Sequence, residues 1–265
     1  MAHNSRPDAM SKNALDTLDI RATYFYNACM DSHYSEHTII HQLNPEQIAA
    51  NVRAYFNKVY TWLALSMALS AGAAVYLESD LLLMQKVVDN FFMLSLLTLG
   101  IVVVMCFAAN KLTSGALKVL LLVYSLVQGA LFSPLLLVYT NESLGLTFAC
   151  TAGMFAIMAI YGRTTRRNLS GLARTLMMVL IGLIIAMIAN RFFGNSMVSL
   201  GICAVGIVVF ALFTAYDFQQ LQAEGAMLVD PVDREKGAIL GALGLYINFY
   251  NMFRFLLHFL GNADE

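Results

Sequence analysis

Charge is what this sequence most lacks. Only 12% of its 265 residues are Asp, Glu, Lys or Arg, about half the share found in an ordinary soluble domain. The shortage is not spread evenly. Residues 59–77, 90–110, 119–141, 143–162, 175–190, 192–216 and 237–253 contain no charged side chain at all. That pattern excludes a soluble globular fold. A helix needs roughly 20 apolar residues to cross a bilayer, and most of these runs reach or approach that length. The short fifth run gains length backwards through Ala173 and Leu172 if Arg174 snorkels to the headgroups.

Other absences narrow the class further. The four cysteines, Cys29, Cys106, Cys150 and Cys203, show no paired spacing. Three lie in apolar runs, where a thiol acts as a small hydrophobe, so no disulfide framework is expected. No apolar stretch opens the chain, so no cleaved leader is expected and the first run reads as an uncleaved anchor. The helices carry no H-E-x-x-H, G-x-G-D or G-x-S-G, so an intramembrane protease is not expected. No inverted internal repeat of the transporter kind is evident.

What is present is an all-α integral membrane protein. Residues 1–55 read as a polar cytoplasmic tail and residues 56–262 as a seven-helix membrane domain. Seven crossings leave no room for a second domain. Basic residues set orientation. With the N-terminus in the cytoplasm, the inner side holds Arg6, Lys12, Arg21, Arg53, Lys58, Lys111, Lys118, Arg163, Arg166, Arg167, Arg174, Arg234 and Lys236. The outer side holds Lys86, Arg191 and Arg254, a ratio of thirteen to three. The seventh segment is either a full crossing or a re-entrant one, because Arg254 interrupts it. The stretch Asp217–Gly237, with Glu224, Asp230, Asp233, Glu235 and Pro231, reads as a mobile cytoplasmic loop. The basic loop Gly162–Arg174 reads as an anchor against anionic lipid heads. Gly237, Gly241 and Gly244 fall near one face and permit close helix approach.

Polar groups inside apolar runs mark candidate sites, because they are costly there. Asp217 closes the sixth run. It reads equally as an interfacial helix end or as a group facing an interior crevice. Asn248 and Asn251 lie three apart on the seventh run, flanked by Tyr246 and Tyr250. Amides in such places are commonly interhelical hydrogen-bonding groups, the reading that suits Asn251. Arg254 either snorkels to the headgroups or pairs inward, and His258 lies four residues on, near the same face. In the tail, His33-Tyr-Ser-Glu-His37 spells an inverted zinc-peptidase motif, and Cys29, His33, His37 and His41 recur every four residues. With no apolar core to hold them, these read as a solvated tail. No metal site and no enzymatic activity are expected.

Four motifs together carry a family resemblance. They are Thr214-Ala-Tyr-Asp-Phe-Gln, Leu243-Gly-Leu-Tyr-Ile-Asn-Phe-Tyr-Asn-Met-Phe with Leu260-Gly-Asn, Tyr161-Gly-Arg-Thr-Thr-Arg-Arg-Asn-Leu-Ser, and Asn110-Lys-Leu. In order and spacing they resemble the Bax inhibitor family in its bacterial form. The resemblance implies six helices around a central seventh, a bacterial inner membrane, and a pH-sensitive calcium leak in which two aspartates share a proton. Asp217 matches the first aspartate. The second position holds Asn248, and a basic partner on the second helix is replaced by Ala108. Asn251 and Arg254 are secondary pore or packing candidates. The implied partners are the lipid bilayer and Ca2+ or H+, with Ca2+ only transient in a pore and no other cofactor. The rival function is a non-conducting regulator that binds a membrane protein such as a protease. No nucleic-acid partner is expected.

Overall fold

A computed structural model of the protein describes residues 44–228 and 230–261. The His33–His37 motif and Cys29 lie outside the described residues. Eight helices follow one another: α1 (Pro45–Glu78), α2 (Leu81–Asp89), α3 (Phe91–Phe107), α4 (Ser114–Val138), α5 (Asn141–Thr164), α6 (Ser170–Phe193), α7 (Ser196–Met227) and α8 (Pro231–Leu260). Five of them, α1, α4, α5, α6 and α7, are long and apolar enough to cross a membrane. The α2–α3 pair meets the same standard together but bends by 71°. The bend falls at Asn90, whose side chain donates to the Lys86 carbonyl at 2.8 Å. The second charge-free run therefore lies on α3, with α2 folded across its start.

The helix ends follow from local chemistry. Pro45 begins α1, because a missing N–H costs nothing in a first turn. Gln47 accepts from the Asn44 backbone at 3.0 Å. Gly194 ends α6 with φ +63°, a left-handed turn that favours glycine. Asp230 caps α8, accepting from Val232 and Asp233 at 2.8 and 3.0 Å, and Pro231 takes the first-turn position.

One expectation is overturned here. Asp217–Gly237 is not a mobile loop. Helix α7 runs on to Met227 and α8 starts at Pro231, so only residues 228–230 connect them. The stretch Gln219-Gln-Leu-Gln-Ala-Glu is rich in good helix formers, and the charges that end the apolar run do not end the helix.

The core gathers on α8. It packs against α7, α1, α5 and α4, and Ala238, Ile239, Ala242, Leu245 and Met252 are fully buried. Helix α8 is less apolar than those five long helices, because Tyr246, Asn248, Tyr250 and Asn251 interrupt it. Protein surrounds most of this helix, so it does not need a lipid-like surface. Helix α6 touches mainly α7 and leaves Ile181, Ile185 and Ile188 exposed, as a lipid-facing helix does.

Two crossings bring backbones together. At Gly129 on α4 a Cβ would land on the Ser70 carbonyl of α1, and at Gly162 on α5 it would land on the Ala215 carbonyl of α7. Between α1, α4 and α8 polar contacts join a shared apolar core. The Ser70 hydroxyl donates to the Ser125 carbonyl at 2.7 Å and shares a second 2.7 Å bond with the Tyr246 hydroxyl. At the basic end, Glu235 of α8 meets Lys58 of α1 at 2.6 Å and Lys118 of α4 at 2.9 Å. These three helices are thus joined at two levels.

Glu235 lies just before the apolar run of α8. Burial alone pushes its carboxyl upward, but hydrogen bonds and attraction from Lys58 and Lys118 outweigh that and hold it below the usual Glu range. A carboxyl held low stabilises the fold above its unfolded value, roughly pH 4.3. That contribution is lost as pH falls through the lowered folded value. Glu235→Gln should cost on the order of 1 kcal/mol at neutral pH. It should also flatten the acid limb of a thermal-unfolding series in detergent.

Candidate functional site

The site forms where α7 and α8 run side by side. Asp217 sits one residue beyond the charge-free run of α7, yet the helix continues, so its side chain stays between helices. Asn248 of α8 is buried at 5% exposure, and its Nδ2 donates to Asp217 Oδ2 at 2.7 Å. Gly244, one turn earlier on α8, makes room for this contact. A Cβ there would lie 3.3 Å from the same oxygen.

Aromatic packing fixes α7 at this level. Phe218 stacks on Phe56 with centroids 6.0 Å apart and meets Phe155 edge-on at 5.7 Å. Arg163 lies over the Phe56 ring at 4.7 Å. Gln219 ties down the basic loop, accepting from Leu169 N–H and donating to the Arg167 carbonyl, both at 2.9 Å. Asp217 therefore occupies a fixed place, half-buried, with one oxygen engaged by an amide.

The other sequence candidates separate from this pair. Asn251 Nδ2 donates to the Ile247 carbonyl of its own helix at 2.8 Å. Arg254 is exposed, with its guanidinium 5.8 Å from the Tyr250 ring centre, and no carboxylate pairs with it among the described residues. Ala108 caps the end of α3. His258 Nε2 lies 3.1 Å from the Ser199 hydroxyl, joining α8 to the start of α7 at the end remote from Asp217. Among the described residues no three His, Cys, Asp or Glu side chains converge on a point that could hold a metal.

Two polar features escaped the sequence reading. One is the Ser70–Ser125–Tyr246 contact, on the face of α8 turned towards α1 and α4. The other is Glu224, which looked like part of an acidic loop. It is buried on α7, and the Tyr55 hydroxyl of α1 donates to its Oε2 at 2.7 Å. A spacing of seven from Asp217, two helical turns, was the available signal.

Comparison with known proteins bears on the whole membrane region. A family model described as inhibitor of apoptosis-promoting Bax1 matches residues 52–265. The inner membrane protein YbhL of Escherichia coli (strain K12) is 35% identical over 221 residues, covering 82% of this chain and 94% of that relative. An uncharacterized protein of Deinococcus radiodurans is 34% identical over 214 residues, 81% of this chain and 92% of its own length. An uncharacterized protein of Rickettsia prowazekii is 32% identical over 216 residues, again 81% and 92%.

Proposed function

This chain belongs to the Bax inhibitor family, and from that premise we propose that it is an ion-leak or ion-homeostasis protein of an inner membrane, with Asp217 as its proton- or cation-responsive group. Its N-terminus lies in the cytoplasm, and α8 is the central seventh span. The inner-membrane assignment follows the name of the Escherichia coli relative. One observation carries the reading: the 2.7 Å bond from Asn248 to Asp217 in the α7–α8 interface. A carboxylate at that depth needs a polar partner, and it offers a foothold to a cation from the cytoplasmic side.

The partner's identity sets the expected behaviour. Two facing carboxylates raise each other's proton affinity and titrate as a coupled pair. Asn248 adds no charge and no titration. A calcium leak through this protein is therefore weak or shallow in its pH response. Arg254, unpaired by any described carboxylate, disfavours cation passage further along α8.

Proteoliposomes loaded with a calcium-sensitive dye test this across a pH series. Asp217→Asn should lower flux by about tenfold, the scale of one lost interaction with a charged group. Asn248→Asp should steepen the pH response. A wild type whose flux already rises steeply between acid and neutral pH, unchanged by Asn248→Asp, would overturn the proposal. Wild-type protein that passes no ion at any pH, yet captures a membrane protease, would favour the non-conducting regulator instead.

A further inference from the structure

Glu224 has no obvious reason to be where it is. Its side chain is 9% exposed, and a carboxyl group buried without compensation is costly. Tyr55 satisfies Oε2, but Oε1 is fully buried and has no hydrogen-bond partner among the described residues. The Gln220 side chain, one turn back, comes within hydrogen-bonding range of the same carboxyl, although it makes no well-formed bond to Oε1.

The surroundings are arranged to admit Tyr55. Gly225 of α7 and Gly237 of α8 lie on either side of its ring. A Cβ at Gly225 would come 3.1 Å from Tyr55, and one at Gly237 would come 3.0 Å from its hydroxyl. Leu221 and Leu228 are buried in the same core cluster as Tyr55. The result is a closely packed apolar surround for one hydroxyl and one carboxyl.

No protein cation answers this carboxyl. Lys58, one turn along α1 from Tyr55, is taken by Glu235, as is Lys118. Arg234 gives Nε and Nη2 to the Leu228 carbonyl at 3.1 and 2.9 Å. Lys58, Lys118 and Arg234 are thus engaged elsewhere, and no ion pair reaches Glu224 among the described residues, so Oε1 is left without a partner.

Asp217 lies on the same side of α7, seven residues earlier. Seven residues of helix span about 10.5 Å, too far for one ion to touch both acids. We propose that Glu224, held by Tyr55, is a second cation-accepting group. It lies on the cytoplasmic side of Asp217, so that a hard cation meets Glu224 first and Asp217 next. Carboxylate, hydroxyl and amide oxygens suit calcium or sodium rather than a soft metal. The inference extends the ion-handling reading of Asp217 and rests on it.

The test is equilibrium binding of radioactive calcium to the purified full chain in lipid nanodiscs, with sodium as competitor. Glu224→Gln should weaken calcium binding by about tenfold or more, the effect of removing one charged ligand. Tyr55→Phe keeps the carboxylate but removes the hydroxyl that positions it, and should weaken binding by about threefold, the lower end of one hydrogen bond's net contribution. Displacement by sodium at tens-of-millimolar levels, on the order of its cellular supply, would make the occupant monovalent and still uphold the site. Binding unchanged in both variants, or no calcium or sodium binding by wild type, would overturn it. If Asp217→Asn abolishes flux while Glu224→Gln alters neither flux nor binding, the leak stands and this site falls. If calcium binds through Glu224 but no flux occurs, the site stands and the leak falls.

Discussion

Gly162→Leu should leave little folded protein, and Gly162→Ala should cost about 3 kcal/mol or more, the upper end of overpacking penalties. The reason is what the new atom meets. A Cβ at this position falls on the Ala215 carbonyl, not on the tip of a mobile side chain. Relief requires α5 and α7 to move apart. That motion strips contacts from Phe155, which packs edge-on against both Phe218 and Phe249. Within a bilayer such close packing is a main source of helix association, because lipid offers apolar surface as readily as protein does. Gly153 supplies the control. It lies on the same helix, is exposed, and has nothing within 4 Å of an added Cβ. Gly153→Ala should be neutral or stabilising by about 0.5–1 kcal/mol. Thermal unfolding in detergent reads both, and equal effects at the two glycines would refute the argument.

A double-mutant cycle across Asp217 and Asn248 should show strong coupling. Asn248→Leu removes the donor and leaves the carboxyl oxygen unmatched, at a cost of about 1.5–3 kcal/mol for a bond to a charged group. Asp217→Val leaves the Asn248 amide, itself buried, without its acceptor, at about 1–3 kcal/mol. The double variant removes both needs together, so it should be less damaged than the sum by at least about 1 kcal/mol. Additivity within about 0.5 kcal/mol would mean that the 2.7 Å contact contributes nothing. The cycle measures stability, so it separates the bond's structural role from any part in ion flux.

Much of this architecture is legible in the sequence, for a physical reason. A bilayer core excludes charge, so charge-free runs mark where helices lie, and five long apolar helices and a bent pair fall on six of the seven runs. The same signal fails at the end of α7. Charge marks the membrane boundary, whereas helix propensity and capping decide where a helix stops. Asp217 therefore looked like the start of a loop when it lies well inside a helix. Asn248 was visible because an amide is out of place in an apolar run. Glu224 was not, since its spacing of seven from Asp217 means something only if the helix runs on past Asp217, and an acid among acids suggests a loop instead. Its burial comes from Tyr55, 169 residues away. Ser70 and Tyr246 were hidden in the same way, each an ordinary residue until the partner helix arrives.

The position of α8 has a bearing on how the chain is made. Helices emerge from synthesis in order, and α8 follows α1, α4 and α5, against which it packs. Until it appears, the earlier helices have an open groove at their centre. Asp217 then faces that groove without Asn248, and Lys58 and Lys118 stand without Glu235. A nascent chain paused before Pro231 thus holds an uncompensated acid on one helix and two ammonium groups on others. Translation of Pro231–Leu260, thirty residues of helix and roughly 45 Å long, supplies the partner of each.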